Sequence, residues 1–261
     1  MVANRIKNRD LEFMAPHIQQ AEKLKASVTA EELSAVLEPL GAGQRLRELS
    51  DIYGDRLVAT TSFGLQAAVM LHLLRENAPE VPIIFVDTGY AFPETYQYAD
   101  KLTKDWGLDI QIFNPAMTSA RQEALYGKLW EQGEEGFQKY AILNKVEPMN
   151  RALKELGRDV WISGLRRCQS KTRAERSFAE RQNTTTKVYP ILDWADAQLA
   201  SYFHEHDLPK HPLEHQGYVT MGDWHSTDLP QSGDSAEGTR FGGQKYECGL
   251  HEESGQNDFQ I

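Results

Sequence analysis

The chain has few cysteines, no long apolar run and no excess of positive charge. Its 261 residues include two cysteines, Cys168 and Cys248, which are too few for a disulfide framework or a four-cysteine zinc or iron–sulfur site. No apolar run approaches the roughly 18 residues that span a bilayer, and the first residues lack the apolar core of a signal peptide. We therefore expect a cytoplasmic protein with free thiols and no membrane association.

The net charge of −10 argues against binding to nucleic acid, because phosphates repel an acidic surface. Basic residues nevertheless gather in GLRRCQSKTRAERSFAER (164–181), where arginine and lysine outnumber glutamate. This local excess favours a small anionic ligand. A solvated helix face is the alternative interpretation of the same run.

Apolar segments of strand length alternate with helical patterns through the middle of the chain. The strand candidates are RLVATT (56–61), VPIIFVDTG (81–89), DIQIFNP (109–115), DVWISGL (159–165) and KVYPILDW (187–194). Strands that are apolar throughout and separated by helices are typical of a parallel sheet covered on both faces. The sequence therefore predicts an α/β fold, a parallel twisted sheet flanked by helices. It divides into an N-terminal helical segment (1–50), an α/β domain (51–215) and a C-terminal tail (216–261).

Local signals predict where some of these elements begin and end. Thr29 followed by Glu32 is a capping box, and Gly41 can end the helix that follows it. Asp193 or a near neighbour is a cap for the helix ADAQLASYFHEHD. From about Glu214 onward periodicity fades while glycine and acidic residues accumulate, which predicts a mobile tail.

Three of the candidate strands are followed by turns that suit an anionic ligand: Thr61-Ser62-Phe63-Gly64, Asp87-Thr88-Gly89 and Gly164-Leu165-Arg166-Arg167. Because ligands bind at the carboxyl ends of parallel strands, we expect these turns to converge on one crevice. The first turn offers hydroxyls, N–H groups and a helix N-terminus, although an ordinary tight turn is the alternative. The second could bind a ribose or adenine edge, or cap its own helix. No G-x-G-x-x-G follows a strand, and no G-x-x-x-x-G-K-[ST] occurs.

Histidine and cysteine give less specific signals. Zinc-type spacings occur among five histidines, but no cysteine or carboxylate completes a recognisable pattern, so we predict no metal site at His204, His206, His211, His215 and His225. The arginines beside Cys168 favour its thiolate, whereas Cys248 stands next to Glu247. Local electrostatics alone therefore does not select Cys248 as a reactive residue.

Several motifs together resemble one family. They are TTSFGLQAAVMLHLL (60–74), VDTGYAFPETY (86–96), YGKLWEQG (126–133), NKVEPMNRALKEL (144–156), ISGLRRCQSKTRAE (162–175) and KYECGLH (245–251). In combination they resemble the phosphoadenylyl-sulfate (PAPS) reductases of assimilatory sulfate reduction, which supply cysteine and methionine biosynthesis. The resemblance covers about residues 50–251 and implies an adenine-nucleotide alpha hydrolase-like domain with a nucleophilic cysteine, Cys248, in the tail.

The resemblance also implies an activity and partners. The enzyme would reduce PAPS to sulfite and adenosine 3′,5′-bisphosphate (PAP) through a sulfonate on Cys248, and thioredoxin would supply the electrons. Glutaredoxin is an alternative donor, and a homodimer is expected. The implied substrate-binding residues are Thr61, Ser62, Phe63, Gly64, Gln66, Asp87, Thr88, Gly89, Lys145, Gly164, Arg166, Arg167, Gln169, Ser170, Arg173, Arg240 and His251.

Two departures from neighbouring families refine this interpretation. Related ATP pyrophosphatases have S-G-G-x-D-S in the first loop, where this chain has Gln66 and Ala67 in place of the aspartate and the last serine. Related adenylyl-sulfate reductases bind a [4Fe–4S] cluster through cysteines, which are replaced here by Tyr140-Ala141, Asp223 and Ser226. The resemblance therefore implies the 3′-phosphorylated substrate and no iron–sulfur cluster.

Two other functions stay compatible with the sequence. An adenylating enzyme of the same fold would depend on ATP and magnesium and would not need Cys248. A nucleotide-sensing module without catalysis would use a Cys168–Cys248 disulfide as a redox switch, so both cysteines would matter equally.

Overall fold

The computed structural model describes residues 28–231 and 237–239, and its described helices and strands alternate from Leu57 to Tyr126. The α-helices are α1 (Ala30–Leu37), α2 (Ala42–Tyr53), α3 (Ala67–Asn77), α4 (Pro93–Trp106), α5 (Ser119–Tyr126), α6 (Gly133–Ala141), α7 (Glu147–Leu156) and α8 (Asp196–Glu205). A π-helical turn (Ile142–Val146) joins α6 to α7. The strands are β1 (Leu57–Thr61), β2 (Ile83–Val86), β3 (Ile110–Phe113), β4 (Val160–Ile162), β5 (Ala179–Gln182) and β6 (Thr185–Val188).

The six strands form one sheet in the order β3-β2-β1-β4-β6-β5, and only β5 is antiparallel to its neighbour. Parallel pairing sets Ala59 beside both Ile83 and Ile162. The predicted α/β class is confirmed. Strand β5 was not predicted, because it is a polar edge strand inside the arginine-rich segment. The last predicted strand lies earlier than expected, since Pro190 cannot continue the ladder.

Alternate residues of the strands bury opposite faces of the sheet, as the two-residue period of a strand requires. On one face Val58, Ile84 and Trp161 pack against Met149 and Ala152 of α7. On the other face the larger core joins the sheet to α1, α2, α3, α4 and α8. The helices of the predicted N-terminal segment therefore share the core of the α/β domain.

The helix ends can be compared with the caps that the sequence predicts. The Thr29–Glu32 capping box at α1 is confirmed. Gly41 does not end α1, which stops at Leu37; it is instead the N-cap of α2. The N-cap of α8 is Ala195 rather than Asp193, because the Asp193 carboxylate pairs with Arg45.

Arg45 is a large polar side chain buried in the core, with 1% of its surface exposed. Its guanidinium donates to both carboxylate oxygens of Asp193, at 2.7 and 2.9 Å. It also donates to the carbonyl oxygens of Leu37, Glu38 and Pro190. These bonds fix the end of α1 and the segment before α8 to one point, because all five N–H directions of the guanidinium are used in a rigid fork.

We expect Arg45→Met to lower the free energy of unfolding by about 2–4 kcal/mol, because buried carbonyl oxygens lose their donor. The matched control is Arg56→Met, which breaks an exposed bidentate pair with Asp159 and should cost less than about 1 kcal/mol. Denaturant unfolding of both variants measures the difference. Equal losses would show that the Arg45 bonds do not stabilise the core.

The candidate zinc histidines do not converge. His211 is buried, its Nδ1 accepts from the Leu213 N–H, and its Nε2 lies 3.1 Å from the Thr95 hydroxyl. His225 instead stacks on Trp130, with ring centroids 3.9 Å apart. Within residues 28–231 and 237–239 no three histidine, cysteine or carboxylate side chains are grouped as a metal site. In the same part of the chain no helix is both long and apolar enough to span a membrane.

The His211 geometry predicts a loss of stability in mild acid. Burial lowers the pKa of His211 below its usual value, so the unfolded chain takes up a proton first as the pH falls. Stability should therefore be complete above about pH 6.5 and decline as the pH falls towards 5. His211→Asn keeps an acceptor near the Nδ1 position, and should flatten this decline in thermal unfolding at pH 5–7. His204→Asn, at an exposed residue, should not.

Candidate active site

The main cavity lies at the carboxyl ends of the central strands and has a volume of about 610 Å³. Its walls come from the turns after β1, β2 and β4, from the π-helical turn, and from the segment 219–223. The predicted convergence of the three turns is therefore found. The last wall is unexpected, because the sequence predicts a mobile tail from about Glu214; residues 219–223 instead pack against the turns.

The turn after β1 is shaped by an unusual backbone conformation at Phe63, whose φ is +48°. Its ring is fully buried and makes an edge-to-face contact with Phe85, with centroids 5.1 Å apart. The Thr61 hydroxyl accepts from the Phe63 N–H at 3.1 Å. This anchor leads the chain into α3, whose Ala67 and Val69 N–H groups donate to the Gly64 and Gln66 carbonyl oxygens at 3.0 and 3.2 Å. Phe63 thus shapes the turn and does not line the cavity.

The turn after β2 holds its polar groups in fixed positions. The Asp87 carboxylate accepts from the Gly89 N–H at 2.9 Å and from the Tyr96 hydroxyl at 2.6 Å. Burial, followed by this hydrogen bond, raises the pKa of Tyr96, so the phenol stays protonated. Thr88 lines the cavity, whereas Asp87 and Gly89 support the turn from outside.

Arg166 is the buried cation of the turn after β4, with 1% of its surface exposed. It donates to Gln66 Oε1 at 2.8 Å and lies 2.9 Å from the Asp196 carboxylate. A third contact, at 3.1 Å, is with Cys168 Sγ. Arg167 points elsewhere, donating to the Arg176 carbonyl oxygen at 3.0 Å. Arg166 is the extended N-cap residue of a 3₁₀ turn that begins at Arg167, and only Arg166 of the pair lines the cavity.

Lys145 is the second buried cation of the cavity, and it comes from the π-helical turn. Its Nζ lies 2.7 Å from Asp223 Oδ2, and Thr88 donates to Asp223 Oδ1 at 2.5 Å. Burial alone would raise the pKa of Asp223, but the Lys145 charge and the hydrogen bonds from Lys145 and Thr88 outweigh it and hold that pKa well below its usual range. Asp223 is therefore a buried carboxylate anion.

Many of the predicted substrate-binding residues meet at this cavity: Thr61, Ser62, Gly64, Gln66, Thr88, Lys145, Gly164, Arg166, Gln169 and Arg173. Five do not line it: Phe63, Asp87, Gly89, Arg167 and Ser170. Ser170 is held by the Thr172 hydroxyl, with the two oxygens 2.8 Å apart. The predicted catalytic Cys248, Arg240 and His251 lie outside the described residues.

Sequence reasoning missed Asp223 as a site residue, although it noted Asp223 as a substituted cluster position. The structure brings the substituted positions together, because Tyr140 is buried beside Asp223. Burial, and then the charge of Asp223, raises the pKa of Tyr140, so its phenol is neutral. The signal that could have identified this residue is that Asp223 stands where related adenylyl-sulfate reductases have a cluster-binding cysteine. In the structure this carboxylate lies beside Lys145.

The fold and cavity together define an α/β protein with two buried cations in a cavity at the carboxyl ends of a parallel sheet. Candida glabrata FMN adenylyltransferase in complex with FAD and inorganic pyrophosphate has the same fold. The TM-score is 0.54 at 12% identity, with 90% of this chain and 84% of that chain covered. At such low identity the likeness concerns the fold alone.

Sequence comparisons define the family. A family model described as a phosphoadenosine phosphosulfate reductase domain matches residues 56–229. The phosphoadenosine 5′-phosphosulfate reductase of Alkalilimnicola ehrlichii is 49% identical over 85% of this chain and 91% of its own length. The phosphoadenosine 5′-phosphosulfate reductase of Zymomonas mobilis is 48% identical over 92% of this chain and 98% of its own length. The chain belongs to the phosphoadenosine phosphosulfate reductase family. A solved PAPS reductase from Candida auris, a phosphate complex, has a TM-score of 0.67 at 30% identity, covering 77% of this chain and 98% of that one.

Proposed function

We propose that this protein reduces PAPS to sulfite and PAP, with Cys248 as nucleophile and thioredoxin as electron donor. The observation that supports it is one cavity in which Arg166 and Lys145 are both buried and both held in place. Two fixed cations in one pocket suit a ligand with several negative charges. The family of the chain identifies that ligand as a sulfated adenine nucleotide.

The substrate would lie across the three turns. Adenosine would lie beside Thr88, which lines the cavity, and the phosphosulfate would extend to the turn Ser62–Gly64 and to Lys145 and Arg166. The residues Gln169 and Arg173 line the same cavity as Arg166. Arg167, also predicted at the phosphosulfate, is bonded to the Arg176 carbonyl oxygen instead.

The reaction proceeds by two displacements. The Cys248 thiolate attacks the sulfate sulfur, the S–O bond to phosphate breaks, and PAP leaves with the bonding electrons. A thioredoxin thiolate then attacks Cys248 Sγ, and sulfite leaves with the electron pair of the S–S bond. The second thioredoxin thiol releases Cys248, so thioredoxin is oxidised to its disulfide. Arg166 and Lys145 offset the negative charge that the phosphosulfate carries both before and during the first displacement.

A nucleophile in this scheme must reach both the bound nucleotide and the partner protein. Cys248 lies in a glycine-rich, acidic stretch of sequence, which could be attracted to the cations of the cavity. Cys168 is exposed on the 3₁₀ turn Arg167–Gln169 and lies at the cavity wall. We therefore assign Cys248 as the nucleophile and Cys168 as a bystander.

The nucleophile is tested by intact mass and peptide mapping of the reduced protein after mixing with PAPS and no reductant. We expect one added SO₃ on Cys248, and its removal by thioredoxin with release of sulfite. Cys168→Ser should keep the adduct and Cys248→Ser should lose it. An adduct on Cys168 would reverse the assignment of the thiols. Consumption of ATP without any adduct would instead indicate the adenylating activity.

The orientations of the adjacent arginines predict unequal roles. Arg166→Met removes a charge-assisted hydrogen bond to the substrate, so kcat/KM for PAPS should fall about 10- to 100-fold. Arg167→Met should have a clearly smaller effect, because its guanidinium is bonded to the Arg176 carbonyl oxygen and faces the Phe178 ring. Steady-state sulfite release measures both. An equal or larger loss for Arg167→Met would contradict the orientation of this pair.

A further inference from the structure

Asp223 connects three parts of the structure that are distant in sequence. Its carboxylate contacts Lys145 on the π-helical turn and Thr88 after β2, and its own backbone belongs to the segment 219–223 that walls the cavity. Side chains of Lys145 and Asp223 are 10% and 7% exposed. The pair is therefore nearly removed from water, and neither charge would be stable there alone.

The surroundings of Lys145 contain one acidic group that neutralises it, Asp223. The Tyr140 ring lies 5.7 Å from Lys145 Nζ and its phenol is neutral. His225 lowers the pKa of Asp223 as a minor contributor, after Lys145 and Thr88. No other ion pair of Lys145 is found within the described part of the chain. Because an ammonium has three N–H donors, one can bond Asp223 while the others face the cavity.

The backbone around Asp223 is fixed independently of its carboxylate. The Trp224 N–H donates to the Tyr90 carbonyl oxygen at 2.9 Å. The Ser226 and Thr227 hydroxyls donate to the Asp223 carbonyl oxygen at 3.2 and 2.9 Å. This turn would hold the segment in place even without the carboxylate charge. The charge is therefore available for another role.

We propose that Asp223 is a positioning residue, which holds Lys145 Nζ at the point where the anionic part of the nucleotide binds. A free lysine side chain has four rotatable bonds, and ordering it on the substrate would cost conformational entropy. The contact with Asp223 orders the ammonium before the substrate arrives. This inference rests on the proposed function, because it concerns how that substrate is bound.

The Asp223 carboxylate could instead weaken substrate binding, and this opposite effect makes the proposal testable. A carboxylate beside an anion site reduces the positive potential and repels the ligand. If repulsion dominates, removal of the charge tightens binding. If positioning dominates, as we propose, removal weakens it, because the geometry of Lys145 is lost.

The test is Asp223→Asn, which keeps an acceptor for Thr88 but removes the charge that holds Lys145. We expect KM for PAPS to rise about 10- to 100-fold with kcat changed by less than about threefold. The charge of Lys145 is felt by substrate and transition state alike, and loss of such uniform binding raises KM alone. A purely structural role would reduce the folded fraction, and so lower kcat at unchanged KM. That result, or an equal or lower KM, would overturn the proposal.

Two further variants isolate the path through Lys145. Ser226→Ala loosens the same turn without touching the carboxylate, and should keep the KM of the wild type. In the background of Lys145→Met, adding Asp223→Asn should not raise KM again, because a residue that acts through Lys145 has nothing left to position. A further rise would show that Asp223 acts on the substrate by another route.

Thermal unfolding accompanies these kinetics. Lys145→Met leaves a buried, uncompensated carboxylate, so the double variant should be more stable than this single one. If Lys145→Met does not fold, the KM and kcat of Asp223→Asn alone decide.

Failure of the wild type to release sulfite from PAPS would refute the proposed function instead, whereas an active wild type with an unaffected Asp223→Asn refutes only the positioning role.

Discussion

The parallel pairing of β1 with β2 on one side and β4 on the other is the constraint on which the site depends. This register places Ala59 opposite Ile83 and Ile162, so all three strands end at the same edge of the sheet. Turns about 100 residues apart in sequence therefore share one cavity. The hydrogen bond from Trp161 Nε1 to the Thr60 hydroxyl at 2.7 Å links β1 to β4 near this edge. A one-residue slip would turn both side chains to the other face.

The second constraint on the site is that its buried positive charges need partners. An ammonium or guanidinium removed from water must be hydrogen-bonded or paired with a negative charge. Arg166 meets it with a neutral amide, Gln66, and a largely exposed carboxylate, Asp196. Lys145 meets it with a nearly buried carboxylate, Asp223. The two cations are therefore held in different ways. Water can weaken the attraction of Asp196 for Arg166, whereas little solvent screens the charge of Asp223 from Lys145.

Sequence periodicity was sufficient for the parts of the fold that are governed by local apolar patterns, such as β1, β2 and α7. It could not predict β5, because this strand pairs only at the sheet edge and contains no apolar run. It could not orient Arg167, since that depends on the conformation of one turn. Asp223 was equally hidden: its role depends on Lys145, which is distant along the chain and meets it only after the sheet has formed. Residues that define the site by long-range charge pairing leave no periodic signal.

The contact between Arg166 and Cys168 bears on which thiol reacts. The sequence places Cys168 among several arginines. In the structure, Arg166 Nη1 lies 3.1 Å from Cys168 Sγ, and Arg166 also lines the cavity. A thiolate there would compete with the anionic substrate for the same guanidinium. A nucleophile brought in by another segment avoids this competition, since the cations bind the substrate first and then meet the thiolate. This competition supports the proposal that Cys248 is the nucleophile, although the immediate neighbours of Cys248 in sequence do not.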